Sequence, residues 1–151
     1  NPFTKIKIFK KKITNKNFDK IIRGFDIIVD GSDNFKTKFL INKFSLKYKK
    51  TLIVGAISKF DGHVFTFDFK NKKEPCLKCF YQSDPGDEIL NCEAEGILGP
   101  AAGVIGSIQA NEVLKKILNS GKNLKGSIFV VNLKDLIFRK IKFSKKKNCE
   151  C

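Results

Sequence analysis

Methionine and tryptophan are absent from this chain, histidine occurs once, and arginine only twice. A complete translation product begins with methionine, and asparagine is not a residue before which the initiator is usually removed. A chain that opens on Asn1 and holds no methionine is therefore expected to be a fragment or an N-terminally truncated product. No apolar run approaches the roughly 20 residues of a membrane-spanning helix, and no signal-peptide pattern opens the chain, which leaves the cytoplasm as the expected location. Arginine supplies the commonest specific contacts to bases, so Arg23 and Arg139 alone argue against the reading of a nucleic acid. The glycine-rich G-x-G-x-x-G fingerprint of dinucleotide sites is also missing.

What is present suits one folded domain, residues 1–151. A length of 151 residues with 42% hydrophobic side chains is enough for a real core. The net charge of +15 would ordinarily direct attention to nucleic acid or an anionic membrane. Here the lysines are scattered over nearly every segment, with short runs only at Lys10 to Lys12 and Lys145 to Lys147. Lysine, asparagine, isoleucine and phenylalanine are abundant together, as an A+T-rich coding sequence produces whatever the function. The charge thus reads as a solvated surface; a basic nucleic-acid-binding protein is the contrasting reading, with steep salt dependence as its signature.

One stretch organises the rest. Phe25-Asp-Ile-Ile-Val29 is too short for a helix and rich in β-branched residues, so it reads as a buried strand of a parallel sheet. It ends abruptly in Asp30-Gly-Ser-Asp33-Asn34, where Gly31 and Ser32 turn the chain and Asp33 or Asn34 can cap a helix. That helix, residues 35 to 48, repeats Phe35, Phe39, Leu40 and Phe44 at helical spacing. Strand ends of this kind are where ligands bind in open α/β sheets. Asp30 reads as structural; Asp33 is either a cap or a functional carboxylate.

Around it, Lys5 to Phe9 alternates as a half-exposed strand does, and Asn17 to Arg23 suits a short helix stopped by Gly24. Thr51 to Ile57 is a second buried strand, which completes a βαβ unit. Asp61-Gly62 is a hairpin signal before a strand running from His63 to Phe69, and His63 at its start reads as a packing residue. Residues 71 to 98 read as a long loop. Gly99 to Leu118 is a helix stopped by Gly121, with Gly99, Gly103 and Gly106 spaced for close packing. Ser127 to Asn132 and Leu136 to Phe143 are two final strands.

The five cysteines divide by context. Cys76-Leu-Lys-Cys79 has the spacing that lets two thiolates bind one ion, and Cys149-Glu-Cys151 offers a second pair, so the four could form a closed structural zinc site. A redox C-x-x-C is the other reading, although the motif does not open a helix after a strand. Cys92, alone in Leu90-Asn-Cys-Glu-Ala-Glu-Gly96, is either an inert small thiol or a nucleophile.

Six separated segments together resemble one family. They are Phe25-Asp-Ile-Ile-Val-Asp-Gly-Ser-Asp-Asn-Phe35, Leu40-Ile-Asn42, Phe60-Asp-Gly-His-Val64, Pro75-Cys-Leu-Lys-Cys79, Asn91-Cys-Glu-Ala-Glu-Gly-Ile-Leu-Gly-Pro100 and Gly103-Val-Ile-Gly-Ser-Ile-Gln-Ala110. In order and spacing they are similar to the ThiF/MoeB/HesA-type adenylyltransferases, which activate ubiquitin-like sulfur carrier proteins and are related to ubiquitin-activating enzymes.

The resemblance implies an α/β fold, a Rossmann-like mixed sheet with flanking helices, that uses ATP and Mg2+ to adenylate the C-terminal glycine carboxylate of a carrier ending in Gly-Gly. It implies nucleotide and magnesium contacts at Asp33 and Asn34, and structural Zn2+ on Cys76, Cys79, Cys149 and Cys151, although the family's last pair is C-x-x-C. Cys92 matches the position that links covalently to the activated carrier in the thiamine branch and is not needed in the molybdopterin branch. A homodimer is implied for the complete enzyme. The chain resembles only the C-terminal half of such an enzyme, without the segment that carries the nucleotide loop, so alone it is expected to bind ATP poorly and not to adenylate. The contrasting expectation is an inactive, zinc-stapled scaffold that still binds a carrier.

Overall fold

The computed structural model describes residues 1–81, 96–149 and 151. Nine elements among the described residues follow in order. They are α1 (Asn15–Ile22), β1 (Ile27–Asp30), α2 (Phe35–Lys47), β2 (Thr51–Ser58), β3 (Asp61–Asp68), the single-turn α3 (Leu77–Phe80), α4 (Gly99–Leu118), β4 (Ser127–Asn132) and β5 (Ile137–Lys142). The strands form one mixed sheet in the order β1-β2-β3-β4-β5. β1 and β2 are parallel, with Asp30 opposite Val54, and the other neighbours are antiparallel. Parallel strands need a crossover, and α2 supplies it.

Alternation along the strands divides the core into two layers. Leu52, Val54, Phe65 and Phe67 face one side, where Phe18 and Ile22 of α1 and Ile41 and Phe44 of α2 cover them. Ile53, Val64 and Val131 face the other side, against Ile105 of α4. The helix starts follow from local chemistry. Thr14 and Asn17 form a reciprocal capping box for α1, Asn34 caps α2, and Pro100 stands in the first turn of α4. α4 ends at Asn119, whose φ of 48° turns the chain into the left-handed region.

Three expectations change. Lys5 to Phe9 forms no strand. Ile6 and Ile8 are 81% and 74% exposed, because an alternating segment without a neighbouring strand has nothing to receive its backbone bonds or its apolar face. The β2–β3 turn falls on Lys59 and Phe60 rather than on Asp61-Gly62, with Lys59 taking the positive φ of 51°. Gly62 instead lies inside β3, where a Cβ would collide with the side chain of Ile105. Gly99, Gly103 and Gly106 meet no packed neighbour among the described residues; α4 docks through Ala101, Ile105, Gln109 and Glu112. No described helix is long and apolar enough to cross a membrane.

Candidate functional site

The turn after β1 is built by short polar side chains that hold one another. Asp30 is 1% exposed, and its Oδ1 accepts from the Ser32 amide at 2.8 Å and the Ser32 hydroxyl at 2.6 Å. Its Oδ2 accepts from Nζ of Lys38 at 3.2 Å, and that ammonium also donates to the Gly55 carbonyl of β2 at 2.6 Å. Lys38 is itself 1% exposed, so the pair is a fully buried ion pair linking β1, α2 and β2. Asp30 is thereby a structural residue, as expected.

Asp33 points the other way. It is exposed, and its Oδ1 accepts from Nδ2 of Asn34 at 2.9 Å, while Asn34 Oδ1 accepts from the Thr37 amide at 2.8 Å. The Asn34 hydrogen bond, followed by backbone bonding and a smaller contribution from Lys38, holds the Asp33 carboxyl below its ordinary value. It is ionised at neutral pH. Asp33 lines a cavity of about 240 Å³ whose other walls include Gly31, Ser32, Lys38, Gly55, Ile105 and Gln109. The geometry therefore places an exposed carboxylate at the carboxyl end of β1, at the mouth of a cavity between the sheet and α4.

The four cysteines from two distant segments converge elsewhere. Sγ of Cys76 lies 3.6 Å from that of Cys149, Sγ of Cys79 lies 3.5 Å from that of Cys151, and all four lie within 4.8 Å of one another. A tetrahedral zinc–thiolate centre with bonds of about 2.3 Å has sulfur–sulfur edges of about 3.8 Å, so the donor set fits that ion. Burial pushes the Cys76 thiol up to about 11 and raises Cys151 as well, a cost that a bound divalent cation would offset. Asn42 Oδ1 on α2 accepts from the Leu77 amide at 3.0 Å, and Lys145 donates to the carbonyls of Lys72 and Cys151, which hold the two cysteine segments in place. None of the four lines the Asp33 cavity. Cys92 lies outside the described residues.

His63 is half-buried, with Nδ1 3.2 Å from the Tyr81 hydroxyl and its ring edge-on to Phe65 and Phe80. Burial lowers its basicity, and it packs as expected. Among the polar side chains of the Asp33 cavity, Lys38 and Gln109 were not singled out from the sequence. The signal for Lys38 was its phase, since it falls three residues after Phe35 and three before Ile41, both buried. Gln109 likewise falls four residues after the buried Ile105.

A profile of the ThiF family matches residues 1–151. The chain belongs to the ThiF family. Among ThiF relatives, a sulfur carrier protein adenylyltransferase of Thermus thermophilus is 32% identical over 153 residues, covering 99% of this chain and 56% of that protein. The adenylyltransferase and sulfurtransferase MOCS3 of Drosophila yakuba is 34% identical over 151 residues, covering 99% of this chain and 33% of its own. This chain thus spans between a third and just over half of these relatives. The Escherichia coli MccB structure with ATP superposes at a TM-score of 0.74 with 14% identity, over 94% of this chain and 44% of MccB. At that identity the likeness establishes the α/β fold.

Proposed function

We propose that this chain is the C-terminal half of an ATP-dependent adenylyltransferase that activates the C-terminal glycine carboxylate of a ubiquitin-like sulfur carrier protein. The observation that carries this reading is the ionised, exposed Asp33 at the mouth of a cavity, on the strand-end turn of a chain whose whole length matches the ThiF family. In the reaction, a carboxylate oxygen of the carrier attacks the α-phosphorus of ATP, and pyrophosphate leaves. Mg2+ bound there would supply positive charge against the anionic phosphates. A single strand-end carboxylate suits magnesium, which keeps several waters and takes other ligands from phosphates. Asn34, whose side-chain amide caps α2 and donates to Asp33, is the second nucleotide-binding residue in this reading.

The remaining assignments belong to the same reading. Cys76, Cys79, Cys149 and Cys151 hold structural Zn2+, supported by their convergence within 4.8 Å. Cys92 is the thiol that links to the activated carrier if the pathway is the thiamine one, and is dispensable if it is the molybdopterin one. The partner is a small carrier ending in Gly-Gly, the complete enzyme a cytoplasmic homodimer, and residues 1–151 the C-terminal half of its adenylyltransferase domain.

ATP–pyrophosphate exchange tests the reading, on this chain and on any longer product of the same reading frame, each with a Gly-Gly-ending carrier. Exchange is expected in the longer product and expected to vanish with Asp33→Ala. Exchange that survives Asp33→Ala refutes the role of Asp33, and none in any form leaves the inactive scaffold as the function.

A further inference from the structure

We propose that Gln109 is the positioning residue that sets Asp33 against the opposite wall of the cavity. Gln109 lies in the middle of α4, 7% exposed, and its Nε2 donates to the Asp30 carbonyl at 2.9 Å. That carbonyl is the last of β1, directly before the Gly31–Asp33 turn. The amide reaches it by lying flat over Gly55: a Cβ on Gly55 would fall 2.5 Å from Gln109 Oε1 and 2.9 Å from Nε2. Strand β2 thus leaves out a side chain where Gln109 passes.

A buried amide costs free energy unless it is bonded, and an aliphatic side chain of the same volume would pack there without that cost. The Asp30 carbonyl bond accounts for it. The ion pair of Asp30 with Lys38 ties the turn to α2 and β2, whereas Gln109 ties it to α4, whose Ala102, Ile105 and Gly106 form the facing cavity wall. The amide therefore fixes the spacing between Asp33 and the facing cavity wall through its bond to the Asp30 carbonyl. This rests on the reading that Asp33 holds the cation of the reaction.

The test is made on the chain as it stands, by NMR. Paramagnetic broadening by added Mn2+ reports cation access to Asp33, and amide hydrogen exchange reports order in the turn. In the wild type, Mn2+ is expected to broaden the amides of residues 32–34, and Asp33→Asn to abolish this. Gln109→Met, which fills the same volume without a donor, is expected to weaken the broadening and to speed exchange at Ser32 about three- to tenfold, with the centre of β2 and β3 unchanged. Gly55→Ala, which pushes the amide off its seat from the other side, should give the same local signature and stands in if Gln109→Met fails to fold. Wild-type broadening that Asp33→Asn leaves intact overturns the reading of Asp33 itself. Broadening lost in Asp33→Asn but wild-type in both other variants, or exchange raised equally throughout the sheet, overturns the positioning role of Gln109.

Discussion

Replacing Lys38 by methionine removes the ammonium that is bonded to Asp30, in a place where both side chains are at most 1% exposed. Methionine keeps the volume, so the effect is the loss of the charge and of its hydrogen bonds to Asp30 and the Gly55 carbonyl. Removing one partner of a buried ion pair leaves an uncompensated charge and costs about 3–5 kcal/mol. The two bonds from Ser32 moderate this, which puts Lys38→Met near the lower end, about 3 kcal/mol. Against a typical stability of about 5–15 kcal/mol that is a large fraction, and in a chain of this size it lowers Tm by roughly 6–12 °C. Asp30→Asn combined with Lys38→Met removes both charges while keeping an oxygen for the Ser32 amide. The double variant is expected to recover about 2 kcal/mol of the summed single losses. Urea unfolding followed by circular dichroism at 222 nm measures this, the chain having no tryptophan to report by fluorescence. A cost below about 1 kcal/mol for Lys38→Met, or strict additivity in the double variant, would refute the argument that this pair is buried and mutually compensating.

Two further outcomes follow from named contacts. Purified protein is expected to carry one zinc per chain by elemental analysis, and Cys149→Ser or Cys151→Ser to lose it and lower Tm; full zinc content in both variants would remove the four-sulfur site. Burial opposes ionisation of Asp68, but hydrogen bonds from Lys116 at 2.8 Å and Lys125 at 2.7 Å outweigh it and depress the carboxyl to about 2. A depressed carboxylate contributes stability above its unfolded value near 4 and loses it as pH falls toward 2. Asp68→Asn should therefore destabilise clearly at pH 7 and progressively less as pH falls below 4; a constant difference across that range would contradict the assignment.

Much of the architecture was legible because it rests on local patterns. The β1–turn–α2–β2 unit follows from two short apolar runs, one polar turn and one helical repeat, and the structure places those elements within two residues of expectation. Lys5 to Phe9 was not legible, since alternation records which face would be buried and not whether a partner strand exists. At the site, Asp33 was visible because polar clusters at strand ends are uncommon. Lys38 and Gln109 were not: each takes its role from a partner far along the chain, Gly55 or Asp30, and a polar residue in a helix is ordinarily solvated. The convergence of Cys76 and Cys79 with Cys149 and Cys151 was suggested by pairing alone and is now a matter of sulfur–sulfur distance.

The sulfur cluster also bears on how the chain folds. Its contacts join residues 73 and 72 positions apart, and the chain between them contains α4, β4 and β5. A cross-link closing a loop of that size removes about 4 kcal/mol of chain entropy from the unfolded ensemble. A single ion held there would act as a clasp on the whole C-terminal half, and its capture during folding would decide whether the last two strands stay on the sheet.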